Sequence, residues 1–166
     1  MHDPFFERTV VLVWHHDEDG AVGVVINKSV DVTLPDVLDF GDGIDASPYQ
    51  EARVGWGGPV EPGAGTVLTP AAVDDGSGLA LPGVSITRSQ DSLVALLKSG
   101  AEVRLCMGYA GWGAGQLDSE IEQGGWLATD VAPPIIFETP ESERYARALA
   151  TLGLQEHMVW MQPIDE

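Results

Sequence analysis

The amino-acid sequence opens with two runs of apolar, mostly β-branched residues that flank a short polar segment. Thr9–Trp14 and Ala21–Asn27 enclose the sequence HHDEDG at residues 15–20, which ends in Asp-Gly, a pair typical of tight hairpin turns. The pattern predicts two adjacent antiparallel strands. Because both runs are almost continuously apolar, we expect this hairpin to be buried on two faces and to lie centrally in a sheet.

Helical and alternating apolar patterns succeed one another along the rest of the chain. Leucine and valine recur at helical spacing over residues 89–100, where Ser89 is suited to the N-cap and Gly100 to termination. Alternation predicts a strand over Glu102–Met107, followed by a glycine-rich loop at Gly108–Gly115. The remaining predicted elements are a helix after Thr33, strands at Arg53–Trp56, Thr66–Leu68, Val84–Thr87 and Trp126–Ala128, a helix at Gln116–Gln123, and a last helix capped by Thr139.

The irregular mixture of strands and helices predicts an α+β fold with a mostly antiparallel or mixed sheet. The chain has 166 residues, of which 44% are hydrophobic and 20% charged, so it has enough apolar surface for one core. No long linker, repeat or low-complexity segment interrupts the pattern. We therefore expect a single domain over residues 1–166.

Charge and cysteine content restrict the expected partners. Acidic residues number 26 and basic residues 8, which gives a net charge of −18 that repels phosphate backbones and anionic lipid headgroups. The single cysteine, Cys106, cannot form an intrachain disulfide, and no apolar run approaches the roughly 18 residues of a membrane span. The composition favours a cytoplasmic protein that binds neither nucleic acid nor membrane.

The glycine-rich segment Gly108–Gly115 is the densest candidate for a ligand site, because backbone N–H groups can converge on a ligand between a strand and a helix. It does not match a dinucleotide-binding loop, since Gln116 stands where G-x-G-x-x-G has its third glycine. Asp118 and Glu120 at the start of the following helix disfavour an incoming phosphate. The pattern indicates a neutral or cationic ligand or a partner's backbone. The alternative is that the glycines only allow the neighbouring aromatic rings, Tyr109 and Trp112, to pack on the core.

Metal and nucleophile motifs are missing from the sequence. A calcium loop in the polar tip would begin at His15 and would place Ile26 at the position of the bidentate carboxylate, and no zinc spacing occurs. Cys106 lies in an apolar strand pattern and is expected to be an inert buried thiol. We therefore assign no catalytic residue, no metal and no cofactor.

A series of short motifs runs in order through nearly the whole chain. They are DPFFERTVV at 3–11, GAVGVVINK at 20–28, GGPV at 57–60, SQD at 89–91, GYAGW at 108–112 and GQL at 115–117, followed by Glu120-Ile121, Trp126-Leu127 and Thr139-Pro140. Through these motifs the chain resembles the YqgE/AlgH family of bacterial proteins, for which no biochemical activity is established. The resemblance implies an α+β fold whose sheet is partly closed like a small barrel and surrounded by helices.

The chain departs from the family pattern in three places. Members usually have a further strand before Asp3-Pro4, so we expect either that this N-terminal strand is missing or that the start is truncated, and that a sheet edge is unpaired. Ser29 replaces a usual proline, and Thr69 stands where a histidine is common. The AlgH name is associated with transcriptional regulation. The eight basic residues are scattered and form no recognition helix, so direct DNA binding is the function that we favour least.

We interpret the chain as a non-enzymatic binding or regulatory module that acts through contacts with a protein or a small neutral or cationic ligand. Aromatic rings would supply rigid contact area, amides would supply hydrogen bonds, and glycines would allow close approach. The alternative is a small-molecule enzyme with a polar pocket at the loop from Gly108 to Gln116, in which His16 or Glu120 acts as general acid or base. The candidate surface consists of Asn27, Gly57, Gly58, Pro59, Tyr109, Trp112, Gln116 and Glu120.

Overall fold

The computed structural model describes residues 8–41, 43–71, 73 and 79–154. Within these residues an eight-stranded sheet is accompanied by five short helices and two 3-10 turns, at Ser47–Tyr49 and Glu141–Glu143. The strands are β1 (Val11–Asp17), β2 (Gly20–Val25), β3 (Ser29–Thr33), β4 (Arg53–Trp56), β5 (Val60–Thr69), β6 (Leu79–Leu81), β7 (Val84–Thr87) and β8 (Arg104–Trp112). The helices are α1 (Leu34–Val37), α2 (Gln90–Ser99), α3 (Gln116–Glu122), α4 (Pro133–Phe137) and α5 (Arg144–Ala150).

Strand β8 organises the sheet. The strand order is β1-β2-β8-β5-β7-β6, while β4 pairs with β8 in parallel and with β3 in antiparallel orientation. The other ladders of the described strands are antiparallel. The predicted α+β class with a mostly antiparallel sheet is therefore confirmed. The barrel-like closure is not confirmed, because the two ends of the order, β1 and β6, do not pair with each other and the described sheet is open.

The predicted hairpin is present, but only one of its strands lies inside the sheet. β1 pairs with β2 from Val11↔Val25 to Asp17↔Gly20, around the turn at Glu18 and Asp19. β2 also pairs with β8, whereas β1 forms one edge of the described sheet. The expectation of a central position is wrong for β1, because continuous apolar character in that strand reflects packing on both faces and not pairing on both edges.

The glycine-rich segment differs most from its prediction. β8 does not end at Met107 but continues to Trp112, so most of the expected loop is a strand. Gly108 has a φ of 77°, a conformation that side chains with a Cβ rarely adopt. Here the pairing register between β5 and β8 shifts. Val60 pairs with Tyr109 and Gly65 pairs with Met107, so β5 uses more residues than β8 over the same distance. The extra residues lie on β5, so β5 bulges opposite Gly108 of the central strand β8.

Three apolar clusters cover the sheet. One joins sheet residues such as Leu12 and Cys106 to helix α4, and a second joins Val54 and Leu105 to helix α2. A smaller third cluster forms where Trp112, at the end of β8, packs against Leu117 of α3. The third cluster lies beside the candidate site and so determines how its side chains are held.

The helices follow local signals only in part. α2 agrees with its prediction, since the Ser89 hydroxyl accepts the N–H of Ser92 and Gly100 ends the helix in the left-handed conformation. Helix α4 was not predicted, and Trp126–Ala128 is not a strand. Thr139 does not cap the last helix but donates its hydroxyl to the Pro134 carbonyl, because a 3-10 turn precedes α5. Among the described residues, none of the helices combines the length and the apolar character needed to span a bilayer.

Candidate functional site

The structure does not bring the predicted site residues together on one outward surface. They occupy three places: Asn27 lies after β2, the Gly57-Gly58-Pro59 turn and Tyr109 lie where β5 bulges against β8, and a third group lies beside α3. The third group consists of Trp112, Gln116 and Glu120. Whether any of them contacts a ligand or partner stays a prediction, but the geometry shows what each side chain already holds.

The amide of Asn27 fastens the segment that leads into β1. Its Oδ1 accepts the N–H of Val10 at 2.8 Å, and its Nδ2 donates to the carbonyl of Arg8 at 2.9 Å. Both the oxygen and the nitrogen of the Asn27 amide therefore form hydrogen bonds with the backbone just before β1 begins. In this arrangement Asn27 orders the chain locally and does not point its amide towards the other predicted residues.

The Gly57-Gly58 turn packs directly on the backbone of β8. A Cβ at Gly57 would lie 2.3 Å from the carbonyl oxygen of Gly108, and a Cβ at Gly58 would lie 2.2 Å from that of Tyr109. Gly57 also donates its N–H to Met107 at 2.7 Å. The close approach that glycine permits here is between two parts of the chain, while the following Pro59 is exposed.

Tyr109 belongs to a half-buried polar and aromatic group on the sheet. Its hydroxyl donates to Glu61 Oε2 at 2.7 Å, and this hydrogen bond raises the pKa of Tyr109 because the ionised phenol would lose it. The Arg88 guanidinium lies 4.9 Å from the Tyr109 ring centroid and 6.0 Å from that of Trp14. Arg88 also donates to the hydroxyl of Thr66. This group packs on the α4 side of the sheet, in a different cluster from Trp112.

The carboxylate of Glu120 is the centre of the third group. Its Oε1 accepts the indole N–H groups of Trp112 at 3.2 Å and of Trp126 at 2.8 Å, and its Oε2 accepts Nε2 of Gln116 at 2.9 Å. The Gln116 Oε1 in turn accepts the N–H of Gly113. The two indole rings meet edge to face, with centroids 5.8 Å apart. The group is thus a closed hydrogen-bond network around one carboxylate.

The expectation that Trp112 is presented outward is wrong. Only 8% of this residue is exposed, because its ring packs against Ala21 and Leu117. For Trp112 the structure agrees with the alternative interpretation, in which glycines allow an aromatic ring to pack on the core. Gln116, in contrast, is exposed as expected.

A cavity of about 370 Å³ opens beside the two indole rings. Its walls come from β1, the end of α3, the segment 124–132 and α5, and most of its lining is apolar. Trp112, Trp126 and Tyr145 contribute aromatic surface, while His16 and Asp130 are among the few polar side chains. The sequence did not predict that the segment 124–132 and α5 form walls of one cavity with β1, since only tertiary packing brings them together.

Two histidines of the hairpin lie within hydrogen-bonding distance of carboxylates. The Nε2 of His16 lies 3.1 Å from Oδ1 of Asp118, and the Nε2 of His15 lies 2.8 Å from Oδ2 of Asp17. The backbone N–H of Asp19 lowers the pKa of Asp17 by hydrogen bonding to its charged form. Within the part of the chain that the structure describes, no group of three or more histidine, cysteine, aspartate or glutamate side chains has a geometry for a metal ion.

Comparison with known proteins identifies relatives over nearly the full chain. The family model for AlgH-like proteins, DUF179, matches residues 1–157. A UPF0301 protein of Ralstonia nicotianae is 42% identical over 163 residues, covering 96% of this chain and 86% of that protein. A UPF0301 protein of Chromobacterium violaceum is 37% identical with 96% and 88% coverage.

Two solved structures are similar to this fold. The solution structure of the AlgH protein from Pseudomonas aeruginosa is 35% identical, has a TM-score of 0.77, and matches over 98% of this chain and 88% of that one. A crystal structure of a protein from Corynebacterium diphtheriae has a TM-score of 0.72 at 23% identity, covering 90% and 80% of the two chains. The second likeness concerns the fold alone.

Proposed function

The chain belongs to the AlgH-like family, and we propose that it is a non-catalytic binding module that takes a small ligand in the cavity beside Trp112 and Trp126. The observation that carries this proposal is the cavity itself. Its volume of about 370 Å³ lies within the range of about 300–1,000 Å³ that is usual for small-molecule sites. An apolar lining with a few polar groups is also characteristic of such sites.

The surroundings of the cavity favour a mainly apolar ligand with a neutral or positively charged polar group. Asp130 lines the cavity, and Glu120 lies behind the two indole rings. Aromatic faces and nearby carboxylates attract cations, and the net charge of −18 adds to this preference. Arg8 also lines the cavity, but its guanidinium lies 5.3 Å from the ring centroid of Tyr145, over an aromatic face.

Binding without catalysis accounts better for the hydrogen bonds than the enzymatic alternative does. Both oxygens of Glu120 already accept N–H groups from side chains, so this carboxylate serves to position rings and not to accept a substrate proton. The side chains with the clearest burial-induced pKa shifts, Cys106 and Arg144, do not line this cavity. Catalytic acids and bases usually show such shifts inside the substrate cleft.

The test compares two probes of equal length and opposite charge. Hexylamine should raise the melting temperature of the protein in a saturable way, because it binds the folded state, whereas hexanoate should leave it unchanged. Trp126→Ala, which removes an aromatic wall, and Asp130→Asn, which removes a carboxylate, should both reduce the effect of hexylamine. Val37→Ala, on an exposed position of α1 outside the cavity, should retain it.

Two results of this test would overturn the proposal. One is a melting temperature of the wild-type protein that responds to neither probe. The other is a hexylamine effect of equal size in wild type, Trp126→Ala and Asp130→Asn, which would place binding elsewhere. Calorimetric titration of the same four proteins gives the affinities directly.

The enzymatic alternative rests on His16, which lines the cavity and pairs with Asp118. It predicts that one component of a metabolite mixture is consumed by the wild-type protein and not by His16→Asn.

A regulatory role through direct DNA contact predicts salt-dependent retardation of duplex DNA, and absence of retardation at low salt would exclude that role.

A further inference from the structure

A second cavity gathers half of the basic residues of this acidic chain. It has a volume of about 220 Å³ and lies between β4, the start of β8 and the segment that leads into α5. Two acidic side chains, Glu51 and Glu141, also line it, so four of its lining residues are basic and two are acidic although the chain as a whole carries −18. The basic lining residues are Lys28, Arg53, Arg104 and Arg144.

Arg144 is a buried cation without an ion pair among the described residues. It is 8% exposed, and its guanidinium is held by neutral carbonyls: Nε donates to Thr139 at 2.9 Å, and Nη1 donates to Ile26 at 2.6 Å. Burial, with the nearby positive charge of Arg104, lowers the pKa of Arg144, and the negative charges of Glu141 and Glu102 offset only part of this effect. A buried charge is costly unless an opposite charge approaches it.

Arg104 brings a second guanidinium to the same cavity. Its Nε and Nη2 donate to the carbonyls of Ile136 and Phe137 at 3.3 and 3.4 Å, and Glu102 lies 3.6 Å away as a half-exposed partner. In the part of the chain that the structure describes, Nη1 of Arg104 and Nη2 of Arg144 make no hydrogen bond. Two guanidinium groups therefore share one cavity and retain N–H donors.

We propose that this cavity binds a small oxyanion, a phosphate or carboxylate group, between Arg104 and Arg144. Guanidinium groups recognise such anions through charge-assisted hydrogen bonds, and the anion would compensate the buried charge of Arg144. The volume of the cavity allows one such group with a few attached atoms.

The other charged side chains act at the margin of this site. The Lys28 ammonium lies 5.9 Å from the ring centroid of Trp56, and Nη2 of Arg53 lies 3.4 Å from Asp31, so both are engaged outside the cavity. Glu141 accepts the hydroxyl of Ser29, and its negative charge, with that of Glu51, opposes anion binding, so the affinity depends on the two guanidinium groups. The site shares the lining residues Ile26 and Ile136 with the larger cavity, for which a neutral or cationic ligand is proposed above.

The experiment uses inorganic phosphate as the probe and sodium chloride at equal ionic strength as the reference. Phosphate should raise the melting temperature of the wild-type protein in a saturable way. Arg104→Met should weaken binding by about tenfold or more, since one guanidinium is lost. Arg147→Met is the matched control: it removes the same charge from α5, but Arg147 is exposed, pairs with Glu143 and does not line the cavity.

Arg144→Lys keeps the charge and loses the fork of N–H donors, so it should bind phosphate more weakly than wild type. If Arg104→Met does not fold, a phosphate titration of isotope-labelled wild-type protein replaces it, and amide shifts should centre on Gly55, Cys106 and Thr139. The proposal is overturned if phosphate acts no differently from chloride, if Arg104→Met and Arg147→Met respond alike, or if the amide shifts centre elsewhere.

Discussion

The indole N–H of Trp126 and the indole N–H of Trp112 donate to the same carboxylate oxygen of Glu120, at 2.8 and 3.2 Å. One side chain of α3 therefore sets the edge-to-face arrangement of two rings that form a wall of the larger cavity. Glu120 is accordingly a positioning residue for the proposed ligand site. Its loss should affect both stability and ligand affinity.

Glu120→Ala is expected to lower the free energy of unfolding by about 2–3 kcal/mol, because two indole N–H groups lose an ionised acceptor. Glu120→Gln keeps one acceptor oxygen and should lose less. Urea denaturation followed by tryptophan fluorescence measures both effects. Glu122→Ala, an exposed acidic position on the same helix, is the control, and an equal loss in that variant would contradict the role of Glu120.

Gly58→Ala should be strongly destabilising. The residue has a φ of 150°, and a Cβ would lie 2.2 Å from backbone atoms of Tyr109, which cannot move without displacing β8. We expect a loss of about 2 kcal/mol or more in the free energy of unfolding. Gly63→Ala on β5 is the matched control, because nothing lies within 4 Å of the added carbon there. A Gly58→Ala protein as stable as Gly63→Ala would refute the close-packing argument.

The sequence correctly predicted those helices and strands that are specified by interactions within their own segment. Helix α2 has a serine that caps it and a glycine that ends it, and both signals lie within the helix's own segment. The prediction failed for the segment from Gly108 to Trp112. Its glycines suggested a loop, yet it is a strand because it pairs with β2 and with Val60 of β5, and these are tertiary contacts.

The candidate site was also predictable only where its residues lie close together in the chain. Trp112, Gln116 and Glu120 do form one hydrogen-bonded group, because they lie within one strand end and one helix. The cavity beside them depends on the segment 124–132 and on α5, which only tertiary packing brings together with β1. The sequence also did not predict that Arg104 and Arg144 line one cavity, because the basic residues are scattered along the chain and only the fold brings these two together.

Thr69 stabilises the end of β5 through its hydroxyl. This buried side chain donates to the carbonyl of Glu102 at 2.6 Å and accepts the N–H of Ala71 at 3.2 Å. Thr69→Val keeps the shape but removes both hydrogen bonds, so urea denaturation should show a loss of about 1–3 kcal/mol. Thr69→Ser should lose less. Thr151→Val, at an exposed hydroxyl, should have little effect, and a loss equal to that of Thr69→Val would count against this interpretation.

Because of Cys106, the free energy of unfolding should fall as the pH becomes alkaline. Burial raises the pKa of this thiol from 9.0 to about 12, although Arg104 and Arg144 act in the opposite direction. Below pH 9 the thiol is protonated in both folded and unfolded chains, so its contribution to stability is fully present. Above pH 9 the unfolded chain releases the proton while the folded chain keeps it, and the free energy of unfolding falls.

The expected slope is about 1.4 kcal/mol per pH unit between pH 9 and the folded pKa, which corresponds to one proton released on unfolding. Urea denaturation of wild type and Cys106→Ala from about pH 8 to about pH 11 measures it as a difference. The tyrosines with raised pKa values, Tyr49 and Tyr109, are present in both chains and cancel. Cys106→Ala also leaves a small cavity, but that cost is independent of pH, so only a convergence of the two curves above pH 9 supports the buried thiol. Parallel curves over this range would show that the thiol ionises as readily in the folded chain as in the unfolded one.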